Sequence, residues 1–486
     1  MRTVVWFRQD LRLADNPALS AAAACGTIVP VYVWAPEEEG AFPPGAATKW
    51  WLHQSLAALQ KSLGGALVLL QGRALDCLRA LVKETGATRV HWNRRYEPAA
   101  IERDITIETA LRQEGIEVHT FNAALLWEPW QVQKNYGGGP YKVFTAFYRH
   151  CLTLGMPPKP ARSPKFKTAR ASSVELSALR PEPSIDWAAG IRSTWQPGEI
   201  GAAAQLKRML AAGHVEMYAE DRNRPDRVGT SKLSPHLHFG EISPRKVWHA
   251  IQSRYPRKYA EPFLRQLIWR DFAHHLLYYF PRSATEPLRS KFTDFPWRDN
   301  AKMLRAWQRG RTGYPIVDAG MRELWSTGWM HNRVRMIVAS FLVKHLRLHW
   351  QEGAYWFWDT LVDADLANNT LGWQWSAGCG ADAAPYFRIF NPVLQGEKFD
   401  PDGAYVRRWL PELAHLPNRW IHQPWNMPES ERRRIGLRLG QTYPKPIVNH
   451  ATARQEALNA FQSLKVSWYR STTLPARLPG AGIAPE

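Results

Sequence analysis

Short apolar runs alternate with longer helical stretches over the first quarter of the chain. TVVWF (3–7), TIVPVYVW (27–34), ALVLLQG (66–72), TRVHWNR (88–94) and EVHTF (117–121) are rich in β-branched and aromatic residues. They are short and nearly continuous in apolar character, so they predict strands. NPALSAAAA, ATKWWLHQSLAALQKSL and ALDCLRALVKETG lie between them with apolar positions at helical spacing. Strand and helix in alternation predict an α/β domain with a doubly wound parallel sheet over residues 1–130. No G-x-G-x-x-G follows the first strand, so a dinucleotide site of that type is not expected there.

The pattern lapses over residues 131–199. Pro, Ser, Lys and Arg dominate from about 155 to 197, as in MPPKPARSPKFKTARASS, and predict a linker crossing the surface. From residue 200 to 486 the reading is a larger all-α domain. EPFLRQLIWRDFAHHLLYYF and MHNRVRMIVASFLVKHLRLHW carry long helical periodicity, no internal repeat is evident, and the Pro-rich tail after about 465 is expected to fray.

Composition narrows the class. The 486 residues exceed one ordinary core, and 45% hydrophobic content is that of a globular chain. Lys and Arg outnumber Asp and Glu by 63 to 43, a net charge of +20. The excess points to a polyanion such as nucleic acid, with a solubility device as the plainer alternative. Cys25, Cys77, Cys151 and Cys379 show no CxxC spacing, which disfavours a zinc ribbon or a disulfide frame. Arg8, Asp10 and Arg12 interrupt any signal-peptide core, and no run of 18 apolar residues occurs, so a cytoplasmic, membrane-free protein is expected. Tryptophan is in excess, with 24 residues. Most must serve packing, but the excess also invites stacking or electron chemistry.

Four stretches carry candidate chemistry. GTSKLSP offers Thr230, Ser231 and Ser234 ahead of a helix, either an anion cradle or an ordinary cap. In FLRQLIWRDFAHH, Gln266, Trp269 and Arg270 share one helix face. An amide, a flat ring and a cation suit a stacked base, and equally a core Trp with polar flanks. In GWMHNRVRMIVASF, Asn332, Arg335 and Met336 share a face, and Arg335 is placed to pair with Asp363 or Asp365. DADLANNTLGWQWSAGCG joins those acids to Asn369, Trp373 and Trp375 without the histidines a metal set would need; the acids also read as helix caps.

These stretches, in this order with VVWFRQDLRLADNPAL, GYPIVDAGMREL and APYFRIFNPVLQGEKFDPDG, resemble the cryptochrome/photolyase flavoprotein family across nearly the whole chain. VWAPEEEGAFPPGAATKWWL is similar to plant cryptochromes and to the class III-like bacterial photolyases related to them. The resemblance implies an N-terminal α/β domain, a long linker, and a helical domain that binds FAD and DNA. It implies that Tyr218, Thr230, Ser231, Lys232, Leu233 and Ser234 hold the FAD phosphates and ribitol. Phe263, Gln266, Arg270 and Asn332 would line the flavin and its adenine. Asp363 would pair with Arg335 beside the ring, Asp365 would reach its polar edge, and Asn369 would face N5. Trp373, Trp350 and Trp297 match an electron relay to the surface.

The resemblance further implies light-driven repair of cyclobutane pyrimidine dimers in UV-damaged DNA by a monomer. Trp269 and Trp375 would wall a flipped dimer, Gln266, Asn332 and Met336 would line its pocket, and Arg222, Arg333 and Gln395 would lie near the DNA. Asn332 and Met336 stand where photolyases for (6-4) lesions carry histidines. Asn369 stands where plant cryptochromes carry Asp, and no long C-terminal extension follows. Gln266 departs from the Glu typical of dimer photolyases, so a photoreceptor or a less efficient repair enzyme is the alternative. Ala99-Ala100 and Ala284-Thr285 replace the pairs of the commonest folate mode. A second chromophore, folate or deazaflavin, would then sit elsewhere in the N-terminal domain, near WAPEEEG and TKWW.

Overall fold

The computed structural model describes residues 1–134, 138–179, 186–211 and 213–472, with side chains as far as Leu464. The chain opens with β1 (Arg2–Phe7), α1 (Pro17–Cys25), β2 (Thr27–Trp34), α2 (Ala46–Ser62), β3 (Val68–Gln71), α3 (Ala74–Thr85), β4 (Arg89–Asn93), α4 (Pro98–Gln113) and β5 (Glu117–Phe121). All five predicted strands form, and α4 joins the helices read from sequence. The strands are parallel in the order β3-β2-β1-β4-β5. β1 and β2 are buried along nearly their whole length. Helices cover both faces of such a sheet, which is why these runs are apolar throughout rather than alternating. The order reverses between β1 and β4, so a crevice opens beyond the carboxyl ends of the strands.

The segment 131–199 is more than a surface linker. It contains α5 (Phe144–Thr153), β6 (Lys167–Thr168) and α6 (Ala189–Thr194). β6 adds to β2, in register Thr27 with Lys167. α5 buries Phe144, Phe147 and Cys151, an i, i+3, i+7 stripe packed into the helical region.

The remainder is helical: α7 (Glu199–Met209), α8 (Tyr218–Asp221), α9 (Ser234–His238), α10 (Pro244–Gln252), α11 (Arg257–Tyr279), α12 (Ala301–Gln308), α13 (Pro315–Thr327), α14 (Asn332–Ser340), α15 (Trp350–Thr360), α16 (Leu366–Ala377), α17 (Pro392–Phe399), α18 (Ala404–Trp409), α19 (Glu429–Arg434) and α20 (His450–Thr472). α16 packs on α11, α14 and α15. It starts at the Asp365 cap and stops at Gly378, whose φ of 87° ends the helix in the left-handed region.

Hydrogen bonds tie the two regions together. Arg12 Nη1 donates to Gly240 O at 2.8 Å, and Trp51 Nε1 donates to Glu241 Oε1 at 2.9 Å. Asp271 Oδ2 accepts from the backbone of Leu126 and Trp127. Among the described residues no helix is long and apolar enough to cross a membrane.

Candidate functional site

A cavity of about 550 Å³ opens among the loop before α9 and helices α8, α11, α14, α15 and α16. Tyr218, Thr230, Ser231, Lys232, Leu233, Ser234, Phe263, Gln266, Arg270, Asn332, Arg335, Asp363, Asp365 and Asn369 all line it. The sequence placed these residues on separate elements, and the fold converges them on one space.

The 230–234 turn is firmly held. Lys232 adopts φ 50°, Gln205 Nε2 donates to Ser231 O at 2.6 Å, and Trp329 Nε1 donates to Ser234 Oγ at 3.2 Å. The Lys232 ammonium turns onto the Trp329 ring, 5.2 Å from its centroid, and burial lowers its pKa. Because α9 has only five residues, the turn itself rather than a helix terminus presents the polar groups.

Five further polar side chains of the lining are also held in place. Arg335 Nη2 reaches both oxygens of Asp363, at 3.0 and 2.9 Å, which settles which acid it pairs with. Asp365 is both cap and wall: Oδ1 accepts from Asn368 N at 2.8 Å, while Oδ2 stands 3.7 Å from His238 Nδ1 and 3.5 Å from His274 Nε2. Burial alone would raise its carboxyl, but His274, His238 and Arg270 hold it well below the usual carboxylate range. Asn369 Nδ2 donates to Ala354 O at 3.0 Å, leaving Oδ1 without a hydrogen bond among the described residues. Gln266 is fixed similarly, with Nε2 donating to Pro262 O at 3.0 Å and Oε1 without a hydrogen bond among the described residues.

Trp373 lines the cavity and is 2% exposed. A Cβ on Gly353 would fall 2.0 Å from Trp373 Cη2, so the missing side chain lets the indole lie against α15. Trp350, 1% exposed, starts α15 one turn earlier. His349 then separates Trp350 from the partly exposed Trp297, with ring centroids 5.8 Å and 5.1 Å away.

Trp269, Trp375, Met336 and Arg222 also line the cavity. Arg333 and Gln395 do not. Arg333 Nη2 donates to Asn223 Oδ1 at 2.7 Å and its guanidinium lies over Phe399, while Gln395 is half-buried on α17.

Two family models match the chain: DNA photolyase over residues 3–165, and the FAD binding domain of DNA photolyase over residues 263–463. The deoxyribodipyrimidine photo-lyase of Agrobacterium fabrum is 49% identical over 95% of this chain and 98% of its own. The chain belongs to the photolyase/cryptochrome family. Cryptochrome-1 of Arabidopsis thaliana is 41% identical over 96% of this chain and 71% of its own length. The crystal structure of a bacterial class III photolyase from Agrobacterium tumefaciens superposes with a TM-score of 0.91 at 48% identity, covering 96% of this chain and 98% of that one.

The residues present fit the FAD of this photolyase/cryptochrome domain. The cavity is of cofactor size. Gly372 lines it, and a Cβ there would meet nothing within 4 Å, so the α16 face is left open for a ligand. Asn369 keeps Oδ1 without a hydrogen bond among the described residues in this lining.

Sequence reading missed His238, His274, Gly353 and Trp329. The histidines and Trp329 are each unremarkable in their own segment. Gly353, inside a helix where Gly costs about 1 kcal/mol against Ala, was the one available signal.

A second cavity of about 230 Å³ lies between the domains, beyond the ends of β1 and β2. Trp6, Tyr32, Trp34, Phe42 and Trp358 line it, with Glu39, Arg95 and Arg103. Glu39 accepts from Arg95 and Arg103, and these cations outweigh burial to hold its pKa at about 2. His238 and Ala364 line both cavities, so the wall between them is thin.

Proposed function

We propose that this protein repairs cyclobutane pyrimidine dimers in UV-damaged DNA under blue light, as a monomer in the cytoplasm. The carrying observation is one cavity with two kinds of lining: buried acids with Arg335 and Asn369, suited to a flavin, and the more exposed Trp269, Trp375, Gln266 and Asn332, suited to flipped bases. Base flipping is the general device of photolyases, and it delivers the lesion to such a cavity. Reduced FAD, when bound and excited, supplies the electron that splits the dimer and takes it back.

The chain's own residues do the positioning. The 230–234 turn, Tyr218, Phe263 and Arg270 would hold the cofactor's phosphates and adenine. Arg335 with Asp363, Asp365, Asn369 and Asn332 would fix its ring. Trp269 and Trp375 would sandwich the flipped bases, Gln266 Oε1 would accept a hydrogen bond from them, and Met336 would fill the gap beside Asn332. Arg222, Arg333 and Gln395 would meet the flanking strand, with the +20 net charge giving strong salt dependence. Trp373, Trp350 and Trp297 would carry electrons inward to restore the reduced state. The four cysteines are all free, as a reducing compartment requires.

The aromatic lining of the interdomain cavity supports it as the seat of a second chromophore, a folate or a deazaflavin. It includes Trp34 and Thr48 from the two motifs that drew attention in the sequence. The decisive experiment illuminates purified protein with a dimer-containing oligonucleotide and reductant. Recovery of intact pyrimidine absorbance supports repair. Its absence, with a normal flavin spectrum, would favour the photoreceptor reading raised by Gln266.

A further inference from the structure

Trp269 does not stand alone in the cavity wall. The ring of Phe144, from α5, lies flat on it, with centroids 3.6 Å apart and planes 7° from parallel. The Arg265 guanidinium sits 5.2 Å from the Phe144 centroid and 5.1 Å from that of Tyr148. Phe272 closes the edge of Trp269 at 5.7 Å in a T-shaped contact. Phe144 is 1% exposed, so its ring is held among these neighbours.

We propose that Phe144 is a positioning residue for substrate, acting through Trp269. This role rests on the repair reading. An indole in a cavity wall has rotamer freedom that substrate would have to freeze on arrival. Phe144 covers one face of Trp269 and leaves the other for the cavity. The loss of freedom is therefore met during folding and not during binding, which is how preorganisation raises affinity. Arg265, packed on Phe144 and Tyr148, steadies the rings from α11. Phe144 lies in the stretch between the two domains, so that stretch helps to build the site.

Stacking of one aromatic pair corresponds to roughly threefold to tenfold in an equilibrium constant. Phe144→Leu keeps apolar volume without a ring. Its affinity for a dimer-containing duplex is expected to fall by about threefold to tenfold. Its affinity for the undamaged duplex, which depends on phosphates, is expected to stay. Phe144→Tyr, which keeps the ring, is expected to restore discrimination. Flavin absorbance and blue-light photoreduction report on the fold, and Phe144→Met replaces the Leu variant if that one fails to retain flavin. Unchanged discrimination in the ring-less variants overturns the role of Phe144, as does equal weakening toward both duplexes. A wild-type protein that does not itself prefer the dimer overturns the repair reading, and the role with it.

Discussion

Arg335 lays one nitrogen across both carboxylate oxygens of Asp363, at 3.0 and 2.9 Å, in the wall of the flavin cavity. Its Nε is spent on Met330 O at 2.8 Å, so the guanidinium is held from two sides. The Asp363 side chain is 4% exposed and that of Arg335 is 23% exposed. Removing one partner of a buried pair strands the other, and the partial exposure of Arg335 brings the cost down to about 2–3 kcal/mol. Asp363→Asn is expected to lower thermal stability by that amount and to reduce flavin content after purification. Melting curves and the ratio of flavin to protein absorbance check both.

Gly353 touches Trp373 where a side chain has no room. Gly353→Ala would gain about 1 kcal/mol in helix propensity and lose roughly 1–3 kcal/mol to overpacking. A small net destabilisation is expected. Photoreduction should suffer more, because the indole must leave its place against α15. Flavin bleaching under blue light measures it.

Trp297 is the partly exposed end of the proposed relay, reached past His349. Trp297→Phe is expected to slow photoreduction of the oxidised protein by roughly tenfold or more. Repair by chemically reduced protein should remain, since that electron does not travel the relay. Parallel assays with and without chemical reductant separate the two.

Gln266 gives one amide hydrogen to Pro262 O and offers Oε1 as an acceptor, but it has no acidic proton to lend a lesion. In Gln266→Glu the carboxylate has no proton for that carbonyl and must turn into the cavity. It can then take up or share a proton with the lesion, and a gain in repair quantum yield of up to about tenfold is expected. Single-flash repair assays decide this.

Asp271 is buried beneath the 126–127 loop, and burial lifts its pKa from 3.8 to about 7 against the pull of Arg270 and two backbone N–H groups. The folded value lies above the unfolded one, so ionisation opposes folding. The stabilising contribution is complete below pH 3.8 and is lost as pH rises toward 7. Asp271→Asn keeps an acceptor without the charge. The melting temperature of the natural protein, relative to that variant, is expected to fall across this window. Melts in a series of buffers test it.

Much of the site was legible because its residues come as same-face sets. Gln266, Trp269 and Arg270, and likewise Asn332, Arg335 and Met336, lie within one helical turn, and periodicity alone groups them. The cysteine and tryptophan counts needed no structure. Arg333 and Gln395 were also on helices, but Arg333 is turned by Asn223 and Phe399, which lie far from it in the chain. The apolar stripe of α5 was hidden by the Pro- and Lys-rich residues that follow it.

The sequence by itself determined the elements, the alternation that makes the parallel sheet, and the inventory of rings, amides and acids available for chemistry. Only the tertiary structure decided that Asp365 takes two histidines, that Phe144 lies on Trp269, and that the two cavities share the wall at His238 and Ala364. Local pattern reflects the backbone's own period, which reaches a few residues. These contacts join segments far apart in the chain, and packing and burial of the whole fold select them.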